Sequence, residues 1–243
     1  MFSIVIPIKN QFDVVKKCIE SVIRHYDDQE IILIDDASDE QDLLQYLKEI
    51  QKTKLNWKVV LFEQSQDHSK ACTAGIQLSS NENVFLLNSD TILTKNSLRI
   101  LSDVLDINSN IGVVGPCTSS ASGPQLLPDL YQKRFSMSID EIEQIALSLE
   151  QNKELQDIEL VNGFCFCIKK SVFLEVGKFD PVLNSYGNEK ELLIRIRKAG
   201  YRTVWVKGCY VHHFGKMSYS KTNINIGRAC KDADNYIMKK HAN

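Results

Sequence analysis

Short runs of Ile, Val and Leu, each followed by a segment of helical period, fill the first half of this 243-residue chain. The runs cover 3–8, 31–34, 57–62 and 84–87, with helical patterns over 12–25, 42–51 and 70–78 between them. A strand apolar along its whole length needs cover on both faces, and helices placed between such strands supply it. The pattern predicts βαβ units and an α/β fold with a mainly parallel, Rossmann-like central sheet flanked by helices. Sheets of this kind bind ligands just beyond the carboxyl ends of their strands. Polar residues gather at those ends here: Lys9 and Asn10 after the first run, Asp35 and Asp36 after the second, Asn88, Ser89 and Asp90 after the fourth.

The second half is less regular. A helix is expected over 97–105 and a strand over 111–114. Segment 116–134 carries three prolines and no period, so it reads as a long loop of the lid or binding kind. Helices follow at 139–149, 170–176 and 189–198, the last two ended by Gly177 and Gly200. Strands are expected at 158–168, 203–206 and 209–213. The tail, 216–243, has six Lys or Arg against two Asp and reads first as a solvated terminal helix. Contact with an acidic membrane surface or a neighbouring module is the other reading.

A formal net charge of −2 leaves no basic footprint for a nucleic-acid partner. The seven cysteines are odd in number and scattered. Cys165 and Cys167, two positions apart inside an apolar run, read as buried free thiols and not as a metal pair. Free thiols suit a reducing compartment, and the cytoplasm, or the inner face of the membrane, is the expected location. The first residues meet Pro7 without a basic region ahead of it and read as a strand, not a signal peptide. No run approaches the ~18 apolar residues of a membrane span. The chain can equally be one module of a longer protein.

Four groups can carry chemistry. Asp35 and Asp36 offer carboxylates that accept hydrogen bonds from a base imide or a ribose hydroxyl, although Ser38 or Asp39 nearby would serve as an ordinary helix cap. Asn88, Ser89 and Asp90 present oxygens suited to a hard divalent cation, and would also make an ordinary turn. His212 and His213 face opposite ways on a strand, so at most one of them is a ligand. Glu189 stands at a helix N-terminus, where it can act as a general base or as a cap.

In order along the chain, IVIPIKN, IILIDDASD, FLLNSDT, VNGFCFCIKK, EVGKFDP, YGNEKELLIRIRKAGY and YVHHFG resemble the inverting glycosyltransferases of family two, which have the GT-A fold. The likeness spans residues 2–215. It implies one domain over 1–215, with a nucleotide-binding half to about 115 and a mixed acceptor half from 116. The resemblance puts Pro7, Ile8, Asn10, Asp35, Asp36, Asn88 and Ser89 around the nucleotide. Asp90 and His213, with His212 as the off-by-one alternative, take the metal positions for Mn²⁺ or Mg²⁺. Glu189 takes the place of the base, and Gly163 lies on the acceptor side, with Glu191 as the next candidate base. The implied partners are a nucleotide-sugar donor and a glycan or lipid-linked acceptor.

Three residues depart from the family pattern. Asn88 replaces the first acid of a DxD motif, Asn188 with Glu189 replaces Glu-Asp, and Thr73 stands where relatives often carry Asn. The first loss keeps a catalytically degenerate sugar-nucleotide-binding module in play as a rival. A nucleotidyltransferase is the other rival, but it would carry a glycine-rich basic loop after the first strand, and IPIKNQFD has one Lys and no Gly. A dehydrogenase is disfavoured because no GxGxxG follows that strand.

Overall fold

The computed structural model describes residues 1–184, 186–215 and 226–242. Strands β1 (Ser3–Ile8), β2 (Glu30–Asp35), β3 (Lys58–Leu61) and β4 (Asn83–Leu87) alternate with helices α1 (Phe12–Tyr26), α2 (Gln41–Thr53) and α3 (His68–Leu78). After them come β5 (Thr91–Ile92), α4 (Ser97–Ile107), β6 (Ile111–Cys117), α5 (Pro128–Tyr131) and α6 (Ile139–Leu149). The last group is β7 (Leu155–Asp157), β8 (Cys165–Lys169), α7 (Lys170–Val176), α8 (Asn188–Lys198), β9 (Arg202–Tyr210), β10 (His212–His213) and α9 (Ile226–His241).

Eight strands form one sheet in the order β3-β2-β1-β4-β8-β6-β9-β7. The β3-β2-β1-β4 half is parallel throughout. The other half is mixed: β8 runs antiparallel to both β4 and β6, β9 is parallel to β6, and β7 is antiparallel to β9. Alternation along β1 sends Ile4, Ile6 and Ile8 to one apolar layer and Val5 to the other. The first layer receives α1, α2 and α4 through residues such as Val15, Leu47 and Leu101. The second receives α3, α7 and α8 through Ile76, Phe173 and Leu193. The sheet is therefore covered on both faces, as its apolar runs require.

Several expectations change. Of the strand expected over 158–168, only the part from Cys165 belongs to β8, because β7 sits at the sheet edge and the chain must cross from there to reach the β4–β6 gap. The two last strands are redrawn as well. β9 runs unbroken to Tyr210, and His212–His213 leaves the main sheet to pair antiparallel with β5. The long loop is shorter than expected, since β6 continues to Cys117 and α5 adds one turn. Buried Gln125 closes the loop by donating to Pro116 O and accepting from Asn162 N.

The tail departs most. Residues 216–225 lie outside the described residues, but α9 is docked on the domain rather than solvated. Ala233 and Ile237 bury against Leu183, and Lys240 reaches Glu191 and Asp180. Among the described residues no helix is long and apolar enough to cross a membrane.

Candidate active site

The carboxyl ends of β1 and β2 are tied to each other. Lys9 Nζ donates to Asp36 O and Ala37 O at 2.5 and 2.7 Å, and Asn10 Oδ1 accepts from Asp39 N at 2.9 Å. Asn10 and Ala37 adopt left-handed φ values of 54° and 56°, uncommon for residues with a Cβ. Asn10 thus spends its side chain on the turn after β2, while Ile8 faces the core. Asp36 accepts from Ser65 Oγ and Gln66 N, both at 2.6 Å. Asp35 accepts from Ser38 N through Oδ2 at 3.0 Å. Its Oδ1 is buried and has no partner among the described residues. Leaving such an atom unbonded costs about 1–3 kcal/mol.

The small β5–β10 ribbon sets His213 opposite Thr91, and so beside Asp90. His213 Nε2 lies 3.1 Å from Asp90 Oδ1, and Phe164 stacks on the imidazole with centroids 5.1 Å apart. His213 Nδ1 is 2.6 Å from Ser120 O, a carbonyl that can only accept, so Nδ1 carries a proton and Nε2 is the atom turned to Asp90. Burial works against a charged imidazole here, but the Asp90 carboxylate outweighs it and the pKa rises.

This pair suits a divalent cation. An imidazole nitrogen fixed by a backbone carbonyl and a carboxylate are both ordinary ligands. Their 3.1 Å separation is close to the ~3 Å between adjacent ligands on an octahedral ion with bonds of about 2.1 Å. Among the described residues no group of three or more His, Cys, Asp or Glu gathers into a metal cluster. His212 is turned the other way. It is wholly buried between Ser119 Oγ, Tyr210 Oη and Arg134 O, and burial lowers its pKa to about 4. Ser89 is partly buried in the turn between β4 and β5.

Glu189 enters from the first turn of α8. Gly187, with φ of 76°, turns the chain into α8, and Glu189 falls in the first turn. Its carboxylate lies against Gly163, where any Cβ would collide with Oε1. Together with Pro7 and Asn88 these residues line one narrow crevice at the carboxyl end of the parallel strands. Burial raises the Glu189 pKa above the usual carboxylate value, and the His68 imidazole pulls against that rise.

His68 and Cys72 also line the crevice, and sequence reasoning missed both. The helical period was legible only from Lys70, and Asp67 ahead of His68 makes no side-chain cap that would mark the helix start. Glu191 does not line the crevice. It is completely buried and bonded by Arg195 at 2.7–3.0 Å, by Lys240 at 2.7 Å and by His241 at 3.1 Å. The acceptor-side place expected for Glu191 is therefore taken up by a contact with α9.

The architecture has counterparts among solved structures. It superposes on GalNAc-T7 with UDP, GalNAc and Mn²⁺ at a TM-score of 0.72 and 18% identity, covering 100% of this chain and 51% of that one. It matches the mannosyltransferase PcManGT from Pyrobaculum calidifontis, in complex with GDP-Man and Mn²⁺, at 0.65 and 15%, covering 90% and 58%. TarS from S. aureus in complex with UDP-GlcNAc follows at 0.67 and 15%, covering 98% and 66%. At such identities the likeness is one of fold, and the fold is GT-A.

A curated relative, the uncharacterized protein y4gI of Sinorhizobium fredii, is 23% identical over 236 residues, 88% of this chain. The chain spans 24% of that relative's length. The profile described as Glycosyl transferase family 2 matches residues 3–177, more than half of the chain. The chain belongs to glycosyl transferase family 2.

Proposed function

We propose that the chain transfers a sugar from a nucleoside-diphosphate sugar to a hydroxyl of a glycan or lipid-linked glycan, with inversion, in the synthesis of a surface polysaccharide. The observation that carries this reading is the placement of Glu189. It is a carboxylate with a raised pKa in a crevice shared with Pro7 and Asn88, at the carboxyl ends of the parallel strands, where sheets of this kind take their ligands. The nucleotide sits over the ends of β1 and β2. There Asp35 Oδ1 is the unpaired acceptor, and Asp36, already bonded to Ser65 and Gln66, retains lone pairs for a second bond.

Asp90 and His213 hold the divalent cation, Mn²⁺ or Mg²⁺, which when bound offsets the charge of the departing nucleoside diphosphate. Glu189 removes the proton of the acceptor hydroxyl as its oxygen bonds to the anomeric carbon and the bond to the diphosphate breaks. One such displacement inverts the anomeric centre. Gly163, lacking a Cβ, leaves the space that the Glu189 carboxylate occupies. Substitution of Asn for the first acid of DxD takes one negative charge from the metal side and leaves Asp90 as its carboxylate. The reading places the protein in the cytoplasm or at the inner face of the membrane, as the catalytic module of a longer protein.

A panel of nucleotide-sugars tested by calorimetry and by hydrolysis, with Mn²⁺ and with a chelator, checks the assignment. One donor is expected to bind in the presence of the cation and to lose its hydrolysis on chelation or in Asp90→Ala. Full hydrolysis in a chelator would remove the metal role from Asp90 and His213. Failure of every nucleotide-sugar to bind would remove the transferase reading altogether.

A further inference from the structure

We propose that the cleft between α1, the start of α6 and Phe214 is a second glycan subsite, which holds the acceptor chain away from its reacting end. The proposal rests on the reading of the acceptor as a glycan. The cleft has a volume of about 260 Å³ and shares no lining residue with the Glu189 crevice. It adjoins the cation pair all the same. Phe214, one of its lining residues, directly follows His213, and Phe214 N donates to Asp90 O at 3.0 Å.

Phe135 and Phe214 give the cleft an aromatic shelf. Their rings lie within 6° of parallel, with centroids 6.1 Å apart. Phe135 keeps 57% exposure and belongs to none of the apolar clusters of the core, yet it is firmly braced. The Arg134 guanidinium lies 4.0 Å from the Tyr131 centroid and 4.2 Å from that of Phe135. It also donates through Nε to Phe214 O at 2.7 Å and through Nη1 to Tyr131 O. Arg134 O in turn accepts from Nε2 of the buried His212 at 2.8 Å, which ties the shelf to β10. A fixed aromatic plate left open to solvent suits a ligand with a flat apolar face.

Helix α1 contributes the polar lining. Lys17, Glu20 and Arg24 share one helix face by their spacing, and all three are exposed. Among the described residues none of them makes a side-chain hydrogen bond or an ion pair, and Lys17 Nζ stands 5.8 Å from the centre of the Phe214 ring. A pyranose carries C–H bonds on its face and hydroxyls around its rim. The face packs on the electron-rich surface of an aromatic ring, and the hydroxyls accept from Lys17 and Arg24 and donate to Glu20. Two cations against one carboxylate also suit a chain that contains a uronate. An anionic membrane surface is the rival occupant, and Glu20, set between the two cations on the same helix face, works against it.

No bond forms or breaks in the cleft. Sugars held there supply binding energy, remote from the reacting hydroxyl, that is spent on orienting that hydroxyl.

The test passes the full chain over immobilised oligosaccharides that span neutral, amino-sugar and uronate-containing chains. The parent is expected to be retained by at least one of these classes. Phe135→Ala and Arg24→Ala are each expected to be held about tenfold more weakly, the order of effect of removing one stacked ring or one charged donor. Melting temperatures check that both variants stay folded, and donor hydrolysis is expected to be unchanged in both. Retention of the parent by no oligosaccharide, or unchanged retention of either folded variant, overturns the proposal. Binding of the parent, and not of Phe135→Ala, to phosphatidylglycerol vesicles with no glycan retained would make the cleft a membrane contact and overturn it as well. Failure of the whole nucleotide-sugar panel, with glycan retention present in the parent and weakened in both variants, would remove the transferase reading while glycan binding at the cleft stands.

Discussion

Glu189 and Glu191 stand two residues apart in the first turn of α8, and their surroundings drive them in opposite directions. Around Glu189 the protein supplies burial, a glycine that gives room, and one imidazole, and the pKa rises. Around Glu191 burial is complete, but Arg195 and Lys240 outweigh it and the pKa falls. Burial alone therefore does not separate a reactive carboxylate from a structural one. Partners decide the direction: the acid bonded by Arg195 and Lys240 has its pKa lowered, and the buried acid without such cations has it raised.

Replacing Glu189 tests the reactive side of this comparison most strongly. Glu189→Gln is expected to lower turnover by about 10²–10⁴-fold, the usual worth of a general base. Stability should move the other way. A carboxyl with a raised folded pKa costs the fold free energy above that pKa, and the cost disappears as pH falls below the unfolded value. Removing the charge should leave the melting temperature unchanged or slightly raised at neutral pH. Thermal melts and transfer rates on one preparation check both halves. A drop in stability with turnover intact would make Glu189 a helix cap.

Glu191→Gln is expected to do the reverse. It strips the carboxylate from Arg195 and Lys240, and breaking a buried ion pair from one side costs about 3–5 kcal/mol. A lowered folded pKa also means that the stability from Glu191 is present above its unfolded value and is lost as pH falls through the folded one. The parent should lose stability through the acid range below the usual carboxylate pKa, and the Gln variant should show a flatter profile there. Denaturant midpoints measured against pH decide this. Turnover of the folded fraction is expected to stay near that of the parent.

The surroundings of these two acids are only half legible in the sequence. The parallel half of the sheet announced itself because β1, β2 and β4 are apolar on both faces, which leaves a continuous run in the sequence. Strands β5 and β10 span two residues each, too short to carry a period, yet they bring His213 to Asp90. The motif marks Glu189 by its place alone. The sequence offers Glu191 as a second acid of the same site, because its partners Lys240 and His241 lie 49 and 50 positions on and nothing local signals them. His68 is not legible in the sequence because its place at the crevice comes through a strained turn and a contact with α8.

The smallest effect expected is the most telling about α9. Lys240 bonds Glu191 and Asp180, both at 2.7 Å, and Tyr236 adds a bond to Asp180 at 2.8 Å. Its side chain keeps 34% exposure, so solvent screens the pairs, and Arg195 still holds Glu191 when Lys240 is gone. Lys240→Met should therefore cost only about 1 kcal/mol, or roughly 2–4 °C in Tm for a domain of this size. The apolar seat of Ala233 and Ile237 against Leu183 and the Gly187 turn is expected to keep α9 docked. Protease sensitivity of the tail checks that point directly. Rapid cleavage of the variant would mean that the charges, and not the apolar seat, fasten α9 to the helix that carries Glu189.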